Sequence, residues 1–176
     1  IGGVGNNGVG VAGVNWQVSI LPVKFLNASG SGTSENAIEA INYARIMKVD
    51  IMSNSWGGGD FSDLMKQTIE AVRDAEILFV AAAGNSRANN DTTPHYPSSY
   101  EVDNVVAVAA STNKDALSSF SNYGVKTVHV AAPGSSIYST VLNSGYGIMS
   151  GTSMAAPHVA GIAALIKSIM PGIGYV

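Results

Sequence analysis

The chain has 176 residues, with twelve acidic and nine basic side chains, twenty glycines and no cysteine. Its 12% charged residues are about half the usual share. The formal charge of −3 comes without a lysine or arginine cluster, which argues against a nucleic-acid module or a basic membrane-surface module. The lack of cysteine excludes disulfide scaffolds, thiolate zinc sites and a cysteine nucleophile, and no run approaches the roughly 18 uninterrupted apolar residues of a membrane helix.

Short apolar runs at residues 18–25, 49–53, 77–83, 105–110 and 125–131 are rich in Val, Ile and Ala. Several lack alternation, the pattern of parallel strands covered on both faces. Residues 33–48 place Ala37, Ala40, Ile41, Ala44 and Met47 at helical spacing. Residues 60–76 do the same with Leu64, Thr68, Ala71, Val72 and Ala75, and Asp60 and Ser62 are candidate N-caps. Residues 86–99, polar with two prolines, read as a long loop. Residues 155–170 read as a buried helix, although Pro157, His158, Gly161 and Lys167 interrupt them. Strand–helix alternation of this length predicts an α/β fold: a three-layer, doubly wound, mostly parallel sheet with helices on both faces. Ligands bind beyond the carboxyl ends of such strands, which directs attention to residues 30–32, 53–59, 84–85 and 111–112.

Gly3-Val4-Gly5-Asn6-Asn7-Gly8 matches the spacing of a dinucleotide-binding loop. No strand precedes it, the following residues open a helix poorly, and the first acid downstream is Glu35. The segment reads better as a tight loop, and its Asn pair makes it a candidate oxygen-donor loop for calcium.

The strongest signal is Ser150-Gly151-Thr152-Ser153-Met154-Ala155-Ala156-Pro157-His158-Val159-Ala160-Gly161. A serine at the start of an apolar helix has its oxygen near unpaired backbone N–H groups and the positive end of the helix. Thr152 or Ser153 could equally be a plain N-cap. The segment narrowly misses the G-x-S-x-G elbow, since Ala155 holds the last glycine position.

These residues resemble the nucleophile segment of subtilisin-like serine proteases. The resemblance continues in chain order through N-N-G-V-G-V-A-G-V from Asn6, L-P-V-K-F-L from Leu21 with Gly30-Ser31-Gly32, I-M-S-N-S-W-G from Ile51 and A-A-A-G-N ending at Asn85. Y-P-S-S-Y, S-S-F-S-N-Y-G and A-A-P-G complete it, so essentially the whole chain is covered. The resemblance implies a serine endopeptidase in which Ser153 attacks the scissile carbonyl and forms an acyl-enzyme. Asn85 and the Ser153 N–H would hold the oxyanion, with the Thr152 hydroxyl as a further donor. Ser55, Trp56, Gly57, Ala82, Ala83 and Gly84 would line the main specificity pocket. Gly30, Ser31 and Gly32 would pair with an extended polypeptide substrate as an added strand; without the resemblance they would read as a turn. Asn7 and backbone carbonyls of Gly5, Val9 and Val11 would form part of a structural calcium site. Extracellular placement also follows from the resemblance alone.

None of the three histidines suits the general base. His158 lies five residues after Ser153 on the same predicted helix, turned roughly 140° away. His129 sits in a predicted strand, and His95 lies in the long loop near the expected pocket. The family's triad runs Asp, His, Ser, and its first two segments would precede Ile1. Residues 1–176 therefore read as the central to C-terminal part of a peptidase domain, and the fold as incomplete. The isolated chain is expected to be inactive, with sheet edges exposed to self-association. The alternative reading is a non-catalytic pseudo-protease or peptide-binding fragment.

Overall fold

The computed structural model describes residues 1–175. Helix α1 (Ser34–Ile46) begins where the Thr33 side chain accepts a hydrogen bond from the Asn36 N–H. Helix α2 (Asp63–Asp74) begins where Ser62, rather than Asp60, does the same for Met65. Strands β1 (Ile51–Asn54), β2 (Leu78–Ala82), β3 (Val105–Ser111) and β4 (Val130–Pro133) form one parallel sheet in that order. An antiparallel hairpin, β5 (Ile137–Val141) and β6 (Gly145–Met149), leads into helix α3 (Thr152–Ile169).

The unalternated strand sequences have a direct structural reason. On β2, Phe79 and Ala81 pack with Ile41 of α1 and with Ile69 and Val72 of α2. Val80 and Ala82 on the opposite face pack with Ala155, Ala156 and Ala160 of α3. Both faces of the sheet are thus dry, and the fold is the three-layer α/β arrangement expected for an incomplete subtilisin-like domain. The alanines of α3 bring its axis close to the sheet. Gly161 lets the chain at Val14 approach from the other side, since a Cβ there would stand 2.8 Å from the Val14 Cβ. Asn15, buried, donates from Nδ2 to the Gly161 carbonyl at 2.8 Å and completes that attachment.

Four features differ from expectation. Residues 18–25 form no strand: no neighbouring strand pairs with them among the described residues, and Val18, Ile20 and Leu21 are exposed. Residues 125–127 turn their N–H groups onto the Asp91 carboxylate, so the strand expected at 125–131 starts only at Val130. The buried face of α2 is Met65, Thr68, Ile69 and Val72, one residue round from the predicted face, and Leu64 is exposed. The β5–β6 hairpin was not foreseen; its turn places Asn143 and Ser144 at φ of 59° and 57°, the double positive φ of a tight hairpin turn.

Candidate active site

Two loops leave the carboxyl ends of neighbouring parallel strands: Ser55-Trp56-Gly57 follows β1, and Ala83-Gly84-Asn85 follows β2. The first turn of α3 docks against both. The Ser153 hydroxyl donates to the Ser55 carbonyl at 3.2 Å, and the Ser55 hydroxyl donates back to the Ser153 carbonyl at 2.8 Å. Pro157 explains the second bond. It stands four residues after Ser153 and has no N–H, so the Ser153 carbonyl lacks its helical partner and the Ser55 hydroxyl takes its place.

Asn85 is oriented by Thr152. Its Oδ1 accepts from the Thr152 N–H at 2.8 Å and from the Thr152 hydroxyl at 3.0 Å. The fully buried Thr152 Oγ1 accepts in turn from the Gly84 N–H at 3.1 Å. With Oδ1 engaged twice, the Asn85 amide presents Nδ2 toward the start of α3, 3.6 Å from where a Gly151 Cβ would stand. In this arrangement the Thr152 hydroxyl donates to Asn85 and so helps to orient its amide.

The remaining sequence candidates divide. Trp56 is held by its Nε1–H bond to Asn54 Oδ1 at 3.1 Å and by edge contact with Phe25. Ala82 and Ala83 are buried; Ala82 belongs to the core against α3, and the Ala83 carbonyl accepts from Asn90 Nδ2. Of the residues Ala83-Gly84-Asn85 after β2, Asn85 alone is exposed. Gly30, Ser31 and Gly32 lie exposed on a turn organised by Asn27, which takes up both backbone groups of Ser31. The Gly30 carbonyl and the Gly32 N–H have no backbone partner among the described residues. The Ser111 carbonyl accepts from the Gly134 and Ser135 N–H groups.

Sequence reasoning missed Asn122 and Asn90. Asn122 Oδ1 accepts from the Ser86 and Ala88 N–H groups, and its Nδ2 donates to Asn90 Oδ1 at 2.9 Å. Both are buried, and together they fix the Asn85 loop from behind. The only signal for Asn122 was its place in the S-S-F-S-N-Y-G motif, and Asn90, in the polar loop of residues 86–99, had none.

None of the three histidines bonds Ser153. His158 Nδ1 bonds the Met154 carbonyl one turn back, and His129 Nδ1 accepts from the Ala107 N–H. Burial lowers the pKa of both His129 and His95 below the ordinary histidine value. In the N-terminal loop, Asn7 Oδ1 holds the Val9 N–H, and the donors Gly5, Asn7, Val9 and Val11 are all neutral. Among the described residues no three His, Cys, Asp or Glu side chains cluster for a metal. The loop by itself therefore fits at most part of a calcium shell, which ordinarily needs six to eight oxygens including carboxylates.

The Subtilase family profile matches residues 1–174. Thermitase of Thermoactinomyces vulgaris is 44% identical over 165 residues, covering 94% of this chain and 57% of its own length. The major intracellular serine protease of Bacillus subtilis is 45% identical, with 90% of this chain and 50% of that protein covered. A crystal structure of a cold adapted subtilisin-like serine proteinase superposes with TM-score 0.85 at 36% identity, over 93% of this chain and 58% of that one. The chain belongs to the Subtilase family. It spans about half the length of these relatives.

Proposed function

We propose that these residues form the nucleophile half of a serine endopeptidase. The observation that carries the reading is the Gly84–Thr152–Asn85 hydrogen-bond chain, which holds a free side-chain amide beside the helix start bearing Ser153. In this reading Ser153 Oγ attacks the peptide carbonyl, and Asn85 Nδ2 and the Ser153 N–H take the developing negative charge. A histidine outside the chain removes the hydroxyl proton and returns it to the leaving amine. The substrate is an extended polypeptide laid along Gly30, Ser31 and Gly32, with one side chain entering the gap between the Ser55 and Gly84 loops.

Family membership and relatives named as proteases support this reading. The gene expressed with the sequence flanking residues 1–176 should hydrolyse unfolded protein, and Ser153→Ala should abolish that activity. The purified 176-residue chain should react negligibly with a fluorophosphonate, and rapid stoichiometric labelling of its Ser153 would refute the external base.

The absence of any histidine bond to Ser153 among the described residues favours one second reading, a peptide-binding pseudo-protease. Binding of peptides without cleavage by the flanked protein would select it. Structural calcium, shared between the Asn7 loop and ligands outside the chain, belongs to the same proposal, as does extracellular placement. Calorimetry on the isolated chain should show no submicromolar calcium binding. No helix among the described residues is long and apolar enough to cross a membrane.

A further inference from the structure

We propose that Asn7-Gly8, in the N-terminal loop, is a site of spontaneous deamidation, where water converts the Asn7 amide into aspartate and isoaspartate, while the fold shields Asn85 from the same reaction. The inference is independent of the endopeptidase reading.

An asparagine loses its amide when the main-chain nitrogen of the next residue attacks the side-chain carbon. Here the Gly8 nitrogen gives up its proton and bonds Asn7 Cγ, the Cγ–Nδ2 bond breaks, and Nδ2 leaves as ammonia. Water then opens the resulting cyclic imide, giving aspartate by attack at Cγ and isoaspartate by attack at the main-chain carbonyl. The reaction needs an uncrowded nitrogen, an N–H that is not held by another acceptor, and an amide oxygen able to take negative charge.

The loop meets each requirement. Of the chain's asparagines only Asn7 precedes a glycine, which lacks the Cβ that crowds the attack. Both residues are exposed, and a Cβ built on Gly8 would meet nothing within 4 Å. The Gly8 N–H has no hydrogen-bond partner among the described residues. The Val9 N–H donates to Asn7 Oδ1 at 3.0 Å, so it stands at the oxygen on which charge develops. The bonds that close the loop, Gly13 N–H to the Gly3 carbonyl and Asn15 N–H to the Ile1 carbonyl, lie at its base.

The asparagines that precede a serine each lack one requirement. Asn85 is exposed and its Oδ1 accepts two hydrogen bonds, yet the Ser86 N–H is committed to Asn122 Oδ1 at 2.8 Å. Asn122 thereby gains a second task, keeping the Asn85 amide intact. Asn54 is buried with both ends of its amide bonded. Asn143 is exposed in the hairpin turn, but Ser144 brings a side chain beside the attacking nitrogen.

The test ages the protein, expressed with its flanking sequence and carrying Ser153→Ala to prevent self-digestion, in mildly alkaline buffer made with oxygen-18 water. Peptide mass spectrometry locates the labelled oxygen, and an isoaspartyl methyltransferase detects isoaspartate. The peptide containing Asn7 should be the first to take up label, with a more acidic species on isoelectric focusing, while Asn85 stays unlabelled. Asn7→Gln should abolish that species. Asn122→Ala, which frees the Ser86 N–H, should open Asn85 to labelling. Earlier labelling at Asn85 or Asn143 overturns the proposal. So does an unmodified Asn7 when a free peptide spanning residues 3–13 has been fully converted, or an unlabelled Asn85 in folded Asn122→Ala. If Asn122→Ala does not fold, the order of labelling without that substitution decides the matter.

Discussion

Pro157 and Ser55 show how single residues set the helix start that bears Ser153. The proline withholds a helical hydrogen bond from the Ser153 carbonyl, and the Ser55 hydroxyl supplies one from a different part of the fold. Ser55→Ala should cost about 0.5–1.5 kcal/mol, the net worth of one hydrogen bond. Pro157→Ala restores an N–H opposite the same carbonyl, so the double variant should lose less than the sum of the singles in urea unfolding. Strict additivity would show that the two residues do not share that acceptor. Thr152→Val keeps the shape but leaves the buried Gly84 N–H unpaired, with an expected cost of about 1–3 kcal/mol. Asn85 would also lose its anchor. In an active enzyme the same variant should lower kcat with KM little changed, toward the loss of about 10²–10³ in kcat known for removing the oxyanion asparagine of subtilisin itself. A KM effect alone would assign Thr152 to substrate binding.

Among the elements, α3 combines two tasks: its alanines pack the sheet while its first turn carries the site. Gly161→Ala drives a Cβ to 2.8 Å from Val14, and such overpacking should cost about 1–3 kcal/mol, read as a lower urea midpoint at unchanged m. Three strands and all three helices were legible in the sequence because dry parallel strands and capped amphipathic helices leave local patterns. The rest was set by partners distant in sequence. Residues 125–127 open the run expected to be a strand, yet Asp91 in another loop claims their N–H groups. At the start of α2 the Tyr100 hydroxyl accepts from the Ser62 N–H and the Tyr100 ring stands beside Phe61, a long-range contact absent from the local pattern. At the site, Ser153 and Asn85 were legible from motifs. The burial of Ala82 and Ala83, the Thr152 proton and the Asn90–Asn122 support follow from packing that no local pattern encodes.

For the whole molecule, the unpaired outer edges of β1 and β4 and the exposed Ile162, Leu165, Ile166 and Ile169 on α3 lead us to expect concentration-dependent association of the isolated chain. Sedimentation showing a monomer across a wide concentration range would contradict that. Stability should also depend on pH with a defined sign. Burial holds His95 and His129 below the ordinary value of 6.5, so the unfolded chain binds more protons as pH falls past it. Stability contributed by the neutral rings is complete above pH 6.5 and declines as the pH drops through their lower folded values. A second decline should begin near 3.8, where Asp91, held ionised in the fold chiefly by the Thr127 hydroxyl and then by backbone N–H groups, takes up its proton more readily unfolded. Denaturation midpoints that rise on acidification from pH 7 to 5 would reverse the first of these signs.

We propose Ser153 as the nucleophile of an enzyme whose base lies outside these residues. Fluorophosphonate labelling of the protein expressed with its flanking sequence, followed by peptide mass spectrometry, tests it most directly. A single stoichiometric adduct on Ser153, lost in Ser153→Ala, is the expected result. An adduct on another residue, or an active protease in which Ser153 stays unmodified, would contradict it.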